Sequence, residues 1–394
     1  MRIDAPRKIF PALLPLFCLL PAVMAATPVF ELTDLFVGGQ DDINTYRIPS
    51  LISTRRGTVL AFCEGRRDSA QDGSPTHLVL KRGLGNAGEW SLLREAGRTA
   101  RPRQRNMTWQ PMQVLRTSRN GEAYMNPVAV IDGDTGAILL LFNHYAHYDA
   151  QADEFGGRGE LWLMRSGDEG ASWSAPVELT RSVGHKELGP GIGIQLRTGR
   201  LVVPVYDGVI YSDDHGKSWQ AGGVTPKPAA PNETQVVELA DGNLMLNLRG
   251  APQRTVLESR DGGVTWGEPR RDPALTDPAQ WGGCQASLIR YSLAREGRGR
   301  NRLLFANPAD LQRRFDLTVR LSYDEGKTWP VAKLIRKGPG SYSSMTEFPD
   351  GTIGIVFESG EIENGRVDYQ TRLAFARFNL EWLTDGHDSP SDPR

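Results

Sequence analysis

SGDEGASW (Ser166–Trp173), SDDHGKSW (Ser212–Trp219), SRDGGVTW (Ser259–Trp266) and SYDEGKTW (Ser322–Trp329) are four copies of one eight-residue frame. In each copy Ser, Asp, Gly, a hydroxylated residue and Trp recur at fixed offsets. The frame is built for a tight turn. The Asp carboxylate can accept backbone N–H groups, the Gly can take positive φ without penalty, and the Trp can plug the turn from beneath. Catalysis needs one asymmetric site rather than four equivalent aspartates, so Asp168, Asp214, Asp261 and Asp324 are read as turn builders ahead of a catalytic or calcium-binding role. A worn fifth copy stands at RGLGNAGEW, Arg82–Trp90.

Each box follows an apolar, strand-like run such as GELWLMR or LTVRL, and further strands lie between boxes, among them GAILLLFN, GRLVVPVY and GTIGIVFE. The boxes start 46, 47 and 63 residues apart. That is the length of a four-stranded blade with insertions, and no linker interrupts residues 27 to about 381. The expectation is an all-β, six-bladed propeller in a single domain over residues 27–381, with TRLAFARFNLEWL as a final strand pair. The polar, Pro-containing residues 382–394 are expected to be a disordered tail.

Composition excludes several classes. A 394-residue chain with 39% hydrophobic residues is ample for a large core, and a net charge of −1 without a basic helix speaks against nucleic acid. Arg2, Arg7 and Lys8 precede an apolar run from Ile9 to Met24 that ends in small residues, the pattern of a cleaved signal peptide over residues 1–25. Secretion to the periplasm or medium is the expectation, without stable membrane insertion. Cleavage would leave Cys63 and Cys284, read as two buried thiols. The histidines show no metal-ligand spacing, His144 and His147 being placed in a loop.

YRIP (Tyr46–Pro49) together with the boxes resembles the exo-α-sialidase (neuraminidase) family, whose members fold as six-bladed propellers. EGRRDSAQDG, MNP (Met125–Pro127), GPGIGIQL, ETQVVEL, LNLRG, GCQASLI and SYSSM follow in the family's order along nearly the whole chain. The resemblance implies a substrate with a carboxylate on its anomeric carbon, gripped by three arginines through charge-assisted hydrogen bonds. By motif these are Arg47, Arg249 and Arg314, the last chosen over Arg313 because it stands directly before FDL. Glu358 in VFESG resembles the glutamate that buttresses the first arginine. Asp72 matches the family's acid/base aspartate, with Asp68 as rival in the same loop.

A carboxylate nucleophile would be repelled by the substrate carboxylate, which a neutral phenol avoids. Sialidases with a tyrosine nucleophile are a known exception to the two-carboxylate scheme of glycosidases. The resemblance assigns that part to Tyr342, with Glu233 taking its proton. Arg66 and Asn126 match family residues near the substrate and its N-acyl group, and Tyr206 lines the glycerol side; bracing a loop is the other reading of Arg66 and Asn126. No cofactor or metal is implied. The partner implied is a sialylated glycan, with retaining hydrolysis of a terminal α-linked sialic acid. Transfer to a sugar, a related nonulosonic acid as substrate, an anhydro product, and binding without turnover stay open.

Overall fold

The structure, a computed structural model, describes residues 27–85, 107–119, 121–146, 148–149, 154–155, 159–230 and 232–390. The leader, Asn86–Trp90 of the worn fifth box, His147 and residues 391–394 lie outside them. The protein is all-β apart from short helical turns. Neighbouring strands pair antiparallel in almost every case, in sheets of seven, ten, four and four strands plus one two-stranded ribbon. The strand Val331–Glu347 is long enough to serve two neighbours. Its first half pairs with Phe315–Ser322 and its second half with Ile353–Glu363.

The strands Thr45–Ser53, Ala123–Ile131, Thr234–Glu238, Ser287–Ser292 and the second half of Val331–Glu347 are buried almost throughout; Thr45–Ser53 contacts both Ala123–Ile131 and Val331–Glu347, and Ser287–Ser292 contacts both Thr234–Glu238 and Val331–Glu347. Continuous burial suits their runs of β-branched and aromatic residues, whereas outer strands such as Arg270–Thr276 alternate with solvent. Cys63 and Cys284 are free, buried thiols. Phe30–Val37, near the start of the described chain, pairs with Arg366–Phe378 near its end, Phe30 opposite Phe378. Among the described residues no helix is long and apolar enough to cross a membrane.

Each box closes the turn after a third strand. In the second copy Asp214 Oδ1 accepts the Ser218 N–H (2.8 Å) and the Ser212 hydroxyl (2.8 Å), and Oδ2 accepts the Ser218 hydroxyl (2.6 Å). Gly216 has φ 76°, and a Cβ there would run into Leu139 of the neighbouring sheet, so the glycine answers both to its backbone and to its packing. The residue before it, His215, is also left-handed (φ 60°), as are Glu169, Gly262 and Glu325 in the other copies. Trp219 is buried under the turn and donates to the Gly216 carbonyl at 3.0 Å.

Three sequence expectations need correction. NLEWL is not a strand: Asn379 caps a helical turn, Leu380–Leu383, by accepting the Trp382 N–H, and aromatic Trp382 stacks on Phe30. The tail expected to be disordered from residue 382 is anchored at Asp388, although Asp385–His387 are exposed. Asp388 is buried in a paired contact with Arg302 (2.6 and 2.8 Å), an attraction a composition count does not see. His144 lies in the strand Ile138–Tyr145 and stacks on Tyr124, so it is no loop residue.

Hydrogen bonds from Ser218, led by its hydroxyl, hold the Asp214 carboxyl down at about 2. A depressed folded value means that its contribution to stability is complete above about pH 4, the unfolded value. It is lost as the pH falls toward 2. Asp214→Ala should lower the unfolding free energy at neutral pH by about 1–2 kcal/mol. Urea denaturation at pH 7 checks this, and the deficit should shrink when the measurement is repeated near pH 3.

Candidate functional site

Arg47 stands at a β-bulge. It pairs across to Glu64 while Ser50 pairs to Phe62, so Ile48 and Pro49 crowd into one step of the ladder. Pro49 has no N–H to give, and Ile48 takes φ 56°, which a β-branched residue adopts only under constraint. The constraint is Glu358, fully buried on Ile353–Glu363. Its Oε1 accepts both the Ile48 N–H (3.1 Å) and Arg47 Nε (3.1 Å), and Oε2 lies 3.5 Å from Arg47 Nη2. Burial alone would lower the Arg47 pKa, but Glu358 and then Asp72 outweigh it and keep the guanidinium firmly protonated.

The same device recurs one inner strand along. Asn126 (φ 52°) precedes Pro127 at a bulge in Ala123–Ile131, and its N–H donates to Glu64 Oε1 at 2.9 Å. Glu64 Oε2 accepts Arg66 Nε (3.0 Å) and Nη2 (2.7 Å), the pair being completely buried. Asp72 joins the two arginines: its Oδ1 lies 2.7 Å from Arg66 Nη1 and 3.2 Å from Arg47 Nη1. Desolvation pushes the Asp72 carboxyl up, but Arg66 and then Arg47 overcome it and hold it below the ordinary carboxylate range. The side chain is 71% exposed, so water screens part of that pull. The carboxylate of Asp68 meets no partner among the described residues, only its N–H being held, by Ser74 Oγ.

Tyr342 is the meeting point. It sits at another bulge, between Gly340 and Ser343, and packs with Ile48 and Cys284. Its hydroxyl donates to Glu233 Oε1 and accepts from Arg249 Nη1 at 3.1 Å. The same Nη1 lies 2.8 Å from Glu233 Oε2. The guanidinium carbons of Arg47 and Arg314 each stand 5.3 Å from the Tyr342 ring centroid. One phenol therefore touches all three motif arginines and Glu233. Burial, then the Glu233 charge, push its pKa well above the ordinary phenol value, against the pull of Arg249, Arg314 and Arg47. The site thus holds a neutral phenol already aligned with a proton acceptor.

Arg314 is 3% exposed and meets no carboxylate at ion-pair distance among the described residues. Its Nη2 donates to the Gly283 carbonyl (2.8 Å) and Nη1 to Ser341 Oγ (3.3 Å), while the buried Nε groups of Arg314 and Arg249 find no acceptor there. A sequestered cation with donors to spare favours an arriving anion. Its neighbour Arg313 is exposed and lies over Phe315. Tyr206 is half-buried, and burial followed by the charges of Glu233 and Tyr342 raises its phenol, which sets it on their side of the cluster. Among the described residues Asn126 joins through its backbone N–H to Glu64.

Sequence reading passed over Glu64, Asp277 and Trp281. Asp277 is buried and accepts from Gly250 N–H, Arg254 and Cys284 N–H, which ties the residue after Arg249 to the Cys284 segment. Trp281, in the turn Gln280–Gly282, offers its carbonyl to Arg249 Nη2 and its ring to Arg314, whose Cζ is 4.8 Å from the centroid. Glu64 was signalled by its place in CEGRR, beside an arginine it must neutralise.

The BNR repeat-like domain family matches residues 98–355, which makes this a BNR-repeat protein. It is 32% identical over 396 residues to a sialidase of Micromonospora viridifaciens, covering 92% of this chain and 56% of that protein. It thus spans only about half of that relative's length. An exo-alpha-sialidase of Arthroderma benhamiae is 30% identical over 377 residues, covering 87% of this chain and 85% of that one. Among solved structures, the Hadza microbial sialidase Hz136 superposes with a TM-score of 0.72 at 27% identity, over 89% of this chain and 69% of that chain. The chain belongs to the exo-α-sialidase family of glycoside hydrolases.

Arg314→Ala should weaken binding of a 2,3-dehydro-sialic acid at least about 30-fold, the cost of removing one partner of a buried charged contact. Arg313→Ala should stay within about twofold, as expected of an exposed charge. Titration calorimetry on both variants separates the two arginines.

Proposed function

We propose that this chain removes terminal α-linked sialic acids from glycans with retention of configuration. The observation that carries the reading is the single phenol bonded to Glu233 and in contact with Arg47, Arg249 and Arg314. The arginines bind the substrate carboxylate and so set the anomeric carbon beside Tyr342. Tyr342 Oη attacks that carbon and its proton passes to Glu233. The glycosidic C–O bond breaks with its electron pair on the leaving oxygen, which takes a proton from Asp72. Water, deprotonated by Asp72, then attacks the same carbon; the bond to Tyr342 breaks and Glu233 returns the proton. Two inversions give retention. Glu358 and Arg66 position Arg47 and Asp72, Asn126 faces the N-acyl group and Tyr206 the glycerol chain.

A six-bladed propeller belongs to the same reading. It is supported by five buried inner strands, by the partly buried run Gly191–Gln195 that lies against Ala123–Ile131, and by the shared strand Val331–Glu347 dividing between two neighbours. Export through the leader fits a substrate displayed on glycoconjugates.

Tyr342→Phe should reduce turnover of a fluorogenic α-sialoside by at least about a thousandfold, the loss typical for a covalent nucleophile. Binding of a sialoside by wild type without any turnover would refute hydrolysis, and mass analysis of the released sugar distinguishes hydrolysis from transfer.

The pairing of Asp72 with Arg47 also dictates a pH signature. A carboxylic acid must be protonated to donate, so activity falls as pH rises through its pKa. In the free protein Arg47 helps hold that value low, and bound substrate carboxylate competes for Arg47. The falling limb of kcat should therefore lie at higher pH than that of kcat/KM. Full pH profiles of both parameters check it, and coincident limbs would contradict it.

A further inference from the structure

The catalytic reading leaves Trp281 unused, although it is the large aromatic of the site most open to solvent. It is 56% exposed and adopts φ 52°, ψ 30°, followed by Gly282 and Gly283 at φ 67° and 108°. A bulky residue in the left-handed region persists only where its surroundings impose it, and such outliers gather at ligand-binding positions. Here the surroundings are the site itself. The Trp281 carbonyl receives Arg249, the Gln280 side-chain oxygen receives the Arg314 N–H (3.0 Å), and the Gln280 N–H donates to the Gln312 carbonyl (3.0 Å). The indole has Arg314 against it at 4.8 Å and the edge of Tyr369 at 5.3 Å. Leu311, 57% exposed, belongs to the adjoining loop, its carbonyl receiving the Ala279 N–H. An apolar shelf therefore borders two of the three carboxylate-binding arginines.

The position of the shelf follows from the substrate's own bonding. In a sialoside the carboxylate and the leaving oxygen are attached to the same carbon. With the carboxylate on Arg249 and Arg314, the first residue of the leaving group starts within a few bonds of these guanidiniums and extends toward solvent. We propose that Trp281 is a specificity-determining residue that stacks on the apolar C–H face of the hexose linked to the departing oxygen. An electron-rich ring backed by a guanidinium is held flat, and a sugar face covers the apolar area that water now meets. The protein would then select sialic acid attached to a pyranose over sialic acid attached to a small alkyl group.

This inference rests on the proposed sialidase activity, and the test separates the two. The kcat/KM values for 3′-sialyllactose and for methyl α-sialoside are measured for wild type, Trp281→Ala, Trp281→Leu and Trp281→Phe, with melting curves to establish folding. The ratio of the two should fall about tenfold in the Ala and Leu variants, the equivalent of one aromatic contact, and recover in the Phe variant. Leu keeps an apolar cover on Arg314, so a ratio preserved in folded Trp281→Leu overturns the stacking role. Equal loss on both glycosides in all three variants makes Trp281 a brace for Arg314 and likewise overturns it. Absence of wild-type turnover on both glycosides overturns the sialidase reading itself, and this inference with it.

Discussion

A single buried carboxylate sets the geometry of the site. Glu358 binds the guanidinium of Arg47 and the amide of Ile48, the residue next to it, so one acid both neutralises the cation and stabilises the backbone distortion that presents it. Neither task would be tolerable alone. A carboxylate with no exposure needs a charge partner and full hydrogen bonding, and a β-branched residue at positive φ needs an acceptor for its displaced N–H. Joined, they convert a register defect in an inner strand into a fixed arginine. Glu64 repeats the solution for Arg66 and Asn126, which shows that the bulge before proline is a means of aiming side chains rather than an isolated irregularity.

Electrostatic balance explains how so many cations share one small volume. Arg47, Arg66 and Arg249 each have a buried glutamate, and Asp72 bridges the first two. Arg314 is held by neutral acceptors instead. The excess positive potential is therefore local, at the cation that lies over the Tyr342 ring. Asp72 rests on Arg47, so on the proposed reading an arriving carboxylate meets a resident one and must share or replace it. On that reading the acid and the anion grip are coupled through one guanidinium.

Much of this was legible in the sequence because it is local. The boxes carry their whole turn within eight residues, and Arg314, preferred over Arg313 because it stands directly before FDL, is the one of the two that lies over the Tyr342 ring. What stayed hidden depends on distant partners. The left-handed states of Ile48 and Asn126 arise from carboxylates on other strands, and nothing in YRIP or MNP alone announces them. NLEWL reads as strand by its hydrophobicity, yet Asn379 caps it into a helical turn. The tail looked too polar to pack, but one fully sequestered Arg302 gives it an anchor 86 residues away. Trp281 was masked by its glycines, which signal only a turn.

The third strands separate two kinds of residue. Arg314 immediately precedes Phe315–Ser322, and the box that follows begins as that strand ends; Arg249 and Gln253–Ser259, and Tyr206 and Gly208–Ser212, stand in the same order. An eight-residue strand spans roughly 26 Å, so Arg314 and the fastened turn that begins at Ser322 stand at opposite ends of Phe315–Ser322. Interlocking thus resides at one end of such a strand and, on the proposed reading, recognition at the other. Loops around the pocket can be lengthened, shortened or recomposed while the rivets behind them keep the sheets in place, which gives the scaffold room to acquire new sugar preferences without loosening its frame.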